Sequence, residues 1–183
     1  MTIEDAVYRW IEQAVAPVLA LLVPPDASGA PALTAVIWDR QKVPVMATPY
    51  VTLRLVGPGA QDFSEDRSVY VPTAPAGQEM EERTIHHDTY VLRVQAFAPL
   101  PADARTIAKA VRTRAFADSG RAELREADPS LVVAGVGALQ DVGALLDTEW
   151  QGRYALDLTL RVADVDVERT TYIATAPTTG SLT

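Results

Sequence analysis

The sequence predicts an α+β fold, a mostly antiparallel sheet with its helices packed on one face. Three observations predict it. The elements read in the order helix, strands, two helices, strands, which segregates helices from sheet instead of alternating them. Tyr50–Val56 and Gln151–Val162 alternate with the two-residue period of a strand covered on one side. A stretch from about Asp103 to Asp118 places Ala104, Ile107, Ala108, Val111 and Ala115 on one helical face.

In chain order, Ile3 to Leu22 reads as the first helix. Thr2 is the expected N-cap, with Asp5 three residues on in a variant of the capping box. Ile3, Val7, Trp10, Ile11, Ala14 and Val18 fall on one face. Pro17 is expected to kink or interrupt the helix, and Pro24-Pro25 to end it. Thr34–Trp38 is a short strand. Pro44 and Pro49 bracket a segment that cannot be helical, because proline lacks an N–H and holds its predecessor extended. This stiffened loop suits a rigid contact surface. Gly57-Pro58-Gly59 is a turn, and Arg67–Val71 reads as a short strand.

Glu79 to Ala98 reads as one long strand. Its second half alternates cleanly. Its first half, Glu79–His87, is far more polar and is expected to project past the core. The Asp103 helix follows, with Asp103 near its N-terminus where the helix dipole favours an acid. A shorter helix spans about Arg121 to Ala127, and Leu131–Leu139 is apolar but broken by Gly135 and Gly137. Val142–Leu146 is ambiguous. In the strand Gln151–Val162, Tyr154, Leu156, Leu158, Leu160 and Val162 face one way. Asp164–Glu168 is then expected to turn the chain, Thr170–Thr175 to form a last strand, and 176–183 to be a flexible tail after one domain over 1–175.

Composition excludes several function classes. The chain has 183 residues, 48% of them hydrophobic and 22% charged, as in an ordinary globular protein. Its net charge of −8 argues against phosphate clamping, which needs clustered cations. Only Lys42 and Lys109 among the 16 basic residues are lysines. There are no cysteines, so disulfides, thiolate catalysis and zinc–cysteine sites are excluded. The acidic start, Glu4-Asp5, is unlike a secretory leader, and the longest apolar run, Ala14–Val23, is too short to span a bilayer.

No catalytic constellation emerges. His86-His87-Asp88 is the only place a metal site could begin, but adjacent strand residues point to opposite faces. Asp164-x-Asp166-x-Glu168 lacks the glycine and the spaced glutamate of a calcium loop and reads as a charged hairpin, or as a bridge in an assembly. There is no Gly-x-Ser-x-Gly elbow and no histidine outside the HHD patch. Trp10 lies on the apolar helix face. Trp38 and Trp150, at strand ends, are open to two readings: sheet-end packing or interface anchors. No catalytic, cofactor or metal residue is assigned.

Four motifs stand in order along the chain: Val36-Ile37-Trp38 with Gln41 and Pro44; Pro49-Tyr50-Val51-Thr52-Leu53-Arg54-Leu55; Val94-Gln95-Ala96-Phe97; and Gln140-Asp141, then Glu149-Trp150 and Arg153 before a period-two strand. In this the chain resembles the phage neck and tail terminator proteins from about Tyr8 to about Ile173. The segments Pro24–Leu33 and Gly57–Gly77 carry no resemblance. The resemblance implies a virion protein, assembled in the host cytoplasm, that forms a ring, most often of six copies. The ring caps the tail tube at its head-proximal end and meets the neck or connector protein and possibly the sheath. DNA passes through its bore without specific binding, and no membrane is involved.

Under that reading the interface candidates are Trp38, Asp39, Gln41, Pro44, Pro49, Tyr50, Glu81, Glu82, His86, Gln140, Asp141, Trp150 and Arg153. A head-completion adaptor or stopper on the portal is the alternative within the particle. A small cytoplasmic enzyme using carboxylates is the alternative of another class, and would need a pocket of convergent acids.

Overall fold

The structure is a computed structural model, and it describes residues 2–22, 35–41, 49–58, 67–72, 79–146 and 149–171. It is α+β. Among the described residues three helices, α1 (Ile3–Leu22), α2 (Pro101–Phe116) and α3 (Asp118–Ala127), accompany a mostly antiparallel sheet. The strands are β1 (Ala35–Trp38), β2 (Tyr50–Val56), β3 (Arg67–Pro72), β4 (Glu79–Ala98), β5 (Leu131–Val136), β6 (Gln140–Asp141), β7 (Ala144–Leu146) and β8 (Glu149–Thr171). The central order is β1-β2-β4-β8-β5, with β3 beside β4, and β6 and β7 beside β8.

Alternation builds the core. Val51 and Leu53 of β2, Leu92, Val94 and Ala96 of β4, and Leu156, Leu158 and Leu160 of β8 are fully buried. Register places Leu53 beside Val94 and Val94 beside Leu156, so one apolar face runs across three strands. α2 covers that face, resting on β8 and β4, while α1 packs on α2 and α3 lies against β5. The buried stripe of α2 is Ala104, Ile107, Ala108, Val111 and Ala115, as its spacing predicts. Close approach is possible where β8 passes under the start of α2. A Cβ on Gly152 would stand 2.5 Å from the Pro101 nitrogen and 2.6 Å from the Leu100 carbonyl oxygen.

The N-terminus of α1 carries a reciprocal cap. The Asp5 N–H donates to Thr2 Oγ1 at 3.1 Å, and the Thr2 N–H donates to Asp5 Oδ2 at 3.2 Å. Hydrogen bonding to the carboxylate by the Thr2 side chain first, and then by the Thr2 N–H, holds the Asp5 carboxyl below its usual range. The helix runs unbroken through Pro17. Its fully buried face is Ala6, Val7, Trp10, Ile11, Val15 and Leu19; the expected Ile3, Ala14 and Val18 are half-buried and packed against the same core, so the stripe is wider than the sequence predicts.

The sequence misleads most at the other end. Asp164–Glu168 is not a turn. β8 continues through it to Thr171, with Asp164 paired to His86, Asp166 to Thr84 and Glu168 to Glu82. Local polarity suggests a turn, but the backbone there is satisfied by β4 and stays extended. Thr170 and Thr171 therefore belong to β8 and start no separate strand. The rest of the expected last strand and the tail, like Pro24-Pro25, lie outside the described residues.

β4 and β8 pair continuously from Ala98↔Gly152 to Glu79↔Thr171. β2 ends opposite Val91, and β5 begins opposite Val162. Beyond those points, among the described residues, only β3, β4 and β8 continue, as a three-stranded arm. At about 3.3 Å per residue the arm extends roughly 30 Å. The polar half of β4 is thus the arm's central strand, flanked on both sides.

Candidate interface

The sheet face opposite the helices carries the most organised polar cluster among the described residues. Tyr50 and Phe97 are register partners on β2 and β4, and their rings stack with centroids 4.6 Å apart and planes 11° from parallel. Arg153 is the partner of Phe97 on β8, and its guanidinium lies 4.7 Å from the Phe97 ring centre. Sandwiched this way, Phe97 is only 8% exposed although no helix covers it. Arg153 also donates to Gln95 Oε1, which tethers the cation beside the ring.

Two rungs farther along, Arg93 donates from Nε and Nη2 to the two carboxylate oxygens of Asp157, each at 2.8 Å. The hydrogen bonds to Arg93 hold the Asp157 carboxyl below the usual range. The Arg93 charge adds to this, and partial burial opposes it. The result is a band of cations, amide and aromatic rings on rigid strands. Such a surface contacts a partner without ordering itself first.

The sequence candidates fall into three places. Tyr50 and Arg153 lie in the stacked band. Gln140 and Asp141 adjoin it on β6, opposite Ala155 and Tyr154. Asp141 accepts from the Gly143 N–H at 3.0 Å and from the Tyr154 hydroxyl at 3.2 Å, so it closes a turn. Phe97, Gln95, Arg93 and Asp157 complete the band; Gln95 and Phe97 stand in one of the four motifs, but none of the four residues was an interface candidate from the sequence. Their signal is the shared register of three strands, which only a pairing scheme reveals.

Trp38, Asp39 and Gln41 form a second group at the end of β1. The Gln41 N–H donates to the Trp38 carbonyl at 2.9 Å, and the Asp39 N–H donates to the Leu53 carbonyl at 2.8 Å. β1 runs parallel to β2, with Trp38 opposite Leu53, so half-buried Trp38 packs against the core. It also lines a cleft of about 250 Å³ with Glu4, Asp39, Arg40, Gln41 and Arg54. Among the described residues the cleft mixes two carboxylates with two guanidiniums and holds no histidine or serine. Pro49 precedes β2 and is half-buried, while Pro44 lies outside the described residues.

The third group is on the arm. Glu81 pairs with Arg169, Glu82 with Glu168, and His86 with Asp164. Trp150, the second residue of β8, lies apart from all three groups, opposite Leu145 of β7. Among the described residues no cluster of three or more His, Asp or Glu could hold a metal ion, and no helix is long and apolar enough to cross a membrane.

The profile of the family described as phage neck terminator protein matches residues 1–182. No curated protein matches the chain.

Proposed function

The chain belongs to the phage neck terminator protein family, a family of structural virion proteins, and from that premise we propose that its copies close into a ring, six in the expected case, at the head-proximal end of a tail. The ring caps the tail tube, ends its growth, and presents its outer face to a neck or connector protein.

The arm is the observation that carries this reading. One core needs β4 only from Tyr90 to Ala98, yet the ladder with β8 runs on for eleven further residues, from Thr89 to Glu79. Such an extension leaves the outer backbone edge of β8 beyond Ala163 unpaired among the described residues. Edges of this kind are normally covered or paired. A neighbour placed by a rotation axis covers every copy alike. The band of Tyr50, Phe97, Arg153 and Gln95 supplies a second, pre-ordered surface for tube or neck. The acidity of the chain suits a bore through which DNA slides without adhering.

The fold itself offers the test. Because Val56 pairs with Val91, the β2–β4 hairpin can be closed without the arm. A variant with residues 59–88 replaced by a short Gly-Ser turn, and ending after Ala163, keeps the body core. Particles assembled with it should show overlong tubes or headless tails. Normal tails, joined to heads and carrying the shortened protein, would sink the proposal.

A further inference from the structure

We propose that a cationic groove beside α2 is the socket for the acidic arm of a second copy. The groove, of about 480 Å³, lies between α2 and the loop after β5, and is lined by Ala102, Arg105, Thr106, Lys109, Arg112 and Leu139. This names the contact for the ring reading above and rests on it.

Four observations point to an anionic occupant. Among the described residues the lining has three cations and no acid, in a chain whose net charge is −8. Arg105, Lys109 and Arg112 recur at helical spacing, so one face of α2 collects them. Phe116 continues the same face, half-exposed, with the Arg112 guanidinium 5.1 Å from its ring centre. Finally, Arg112 Nε is buried and has no hydrogen-bond partner. A buried N–H left unpaired is unfavourable, and an incoming carboxylate would satisfy it.

The arm has the complementary chemistry. Its strands, 67–72, 79–88 and 164–171, hold seven carboxylates against three arginines. Glu82 and Glu168 are register partners, so the acids of the arm are spread over both β4 and β8. The arm's own groove is out of reach. Leu139 adjoins Gln140, which pairs with Ala155, whereas the arm leaves the body beyond Val162. Seven residues along β8 is roughly 23 Å, and the arm runs the other way. The contact is therefore head-to-tail between copies, the geometry that closes rings. Nucleic acid fits less well, because tracking a phosphate backbone takes more than one short cationic row.

The test is a charge swap in the full-length chain. Arg105 and Lys109 are exposed, so R105E/K109E should fold, as should E82K/D164K, with thermal melts as the check. In sedimentation equilibrium at low salt the parent should self-associate, and either variant alone should weaken association about tenfold or more. Mixing the two variants should restore hetero-association, since the acidified groove then meets a basic arm. Unchanged association in R105E/K109E, or no restoration on mixing, would overturn the socket while leaving the ring intact. Double-stranded DNA binding lost in R105E/K109E, with self-association unchanged, would also overturn it. So would a parent that stays monomeric at millimolar concentration; the tail-length experiment would still judge the terminator reading separately.

Discussion

Arg93 and Asp157 face each other across β4 and β8 as register partners, joined by two parallel hydrogen bonds of 2.8 Å on the uncovered sheet face. The pair is a fork meeting a carboxylate, but both side chains are a third or more exposed, so solvent screens it. Asp157→Asn should cost about 0.5–1 kcal/mol at neutral pH. The pH dependence follows from the lowered Asp157 pKa. A group with a depressed folded-state pKa stabilises above its unfolded pKa of about 4, and that stabilisation is lost as pH falls through the folded value. Urea melts of parent and variant should therefore converge in acid. A gap that is constant with pH would show that the cost is not electrostatic.

Trp10 ties α1 to α3. Its Nε1–H donates to the Gly120 carbonyl at 2.7 Å in a buried setting. Trp10→Phe keeps an aromatic ring but strands that carbonyl, and should cost about 1–3 kcal/mol in denaturant melts. Gly120→Ala is a sharper measure of the same junction. Alanine in a helix ordinarily gains about 0.5–1 kcal/mol over glycine. Here its Cβ would stand 2.2 Å from the Arg114 carbonyl oxygen, so the sign should reverse. A stabilised Gly120→Ala protein would contradict the packing of α3 on α2.

Trp38 has one side on the core and the other in the cleft. Trp38→Ala should cost about 1–3 kcal/mol, less than a fully buried aromatic would. In the ring proposed above it should also impair assembly, as expected of an interface anchor. Melts of the monomeric chain beside assembly assays separate the two effects. An unchanged melt with intact rings would defeat both.

His86 and His87 sit opposite Asp164 and Ala163 on one continuous strand, so alternation sends the two imidazoles to opposite faces. Titration calorimetry of untagged protein with zinc should be flat at micromolar concentration. A stoichiometric isotherm abolished by His86→Ala would show a site that one subunit's geometry does not explain.

The elements with a strong local period were legible in the sequence. β2 and β4 begin and end where alternation and proline placed them, and the buried stripe of α2 is the one its spacing predicts. The Thr2–Asp5 cap was readable because a cap uses residues three apart in the chain. Tyr50 and Arg153 of the stacked band were readable as candidates. Phe97 and Gln95 were visible as parts of a strand and of a family motif, but not as partners of Tyr50 and Arg153.

By itself, then, the sequence determined the class of fold, most element bounds, the core-facing positions of the sheet, and the family resemblance. Tertiary structure alone decided that β1 runs parallel to β2, that Asp164–Glu168 is strand and not turn, and that Tyr50, Phe97 and Arg153 form one column. The physical reason is the same in each case. A period records which side of an element is buried, whereas strand order, direction and register depend on hydrogen bonds between residues far apart in the chain. A polar stretch such as Asp164–Glu168 has no apolar alternation to announce it, and stays extended because β4 supplies the partners its backbone requires.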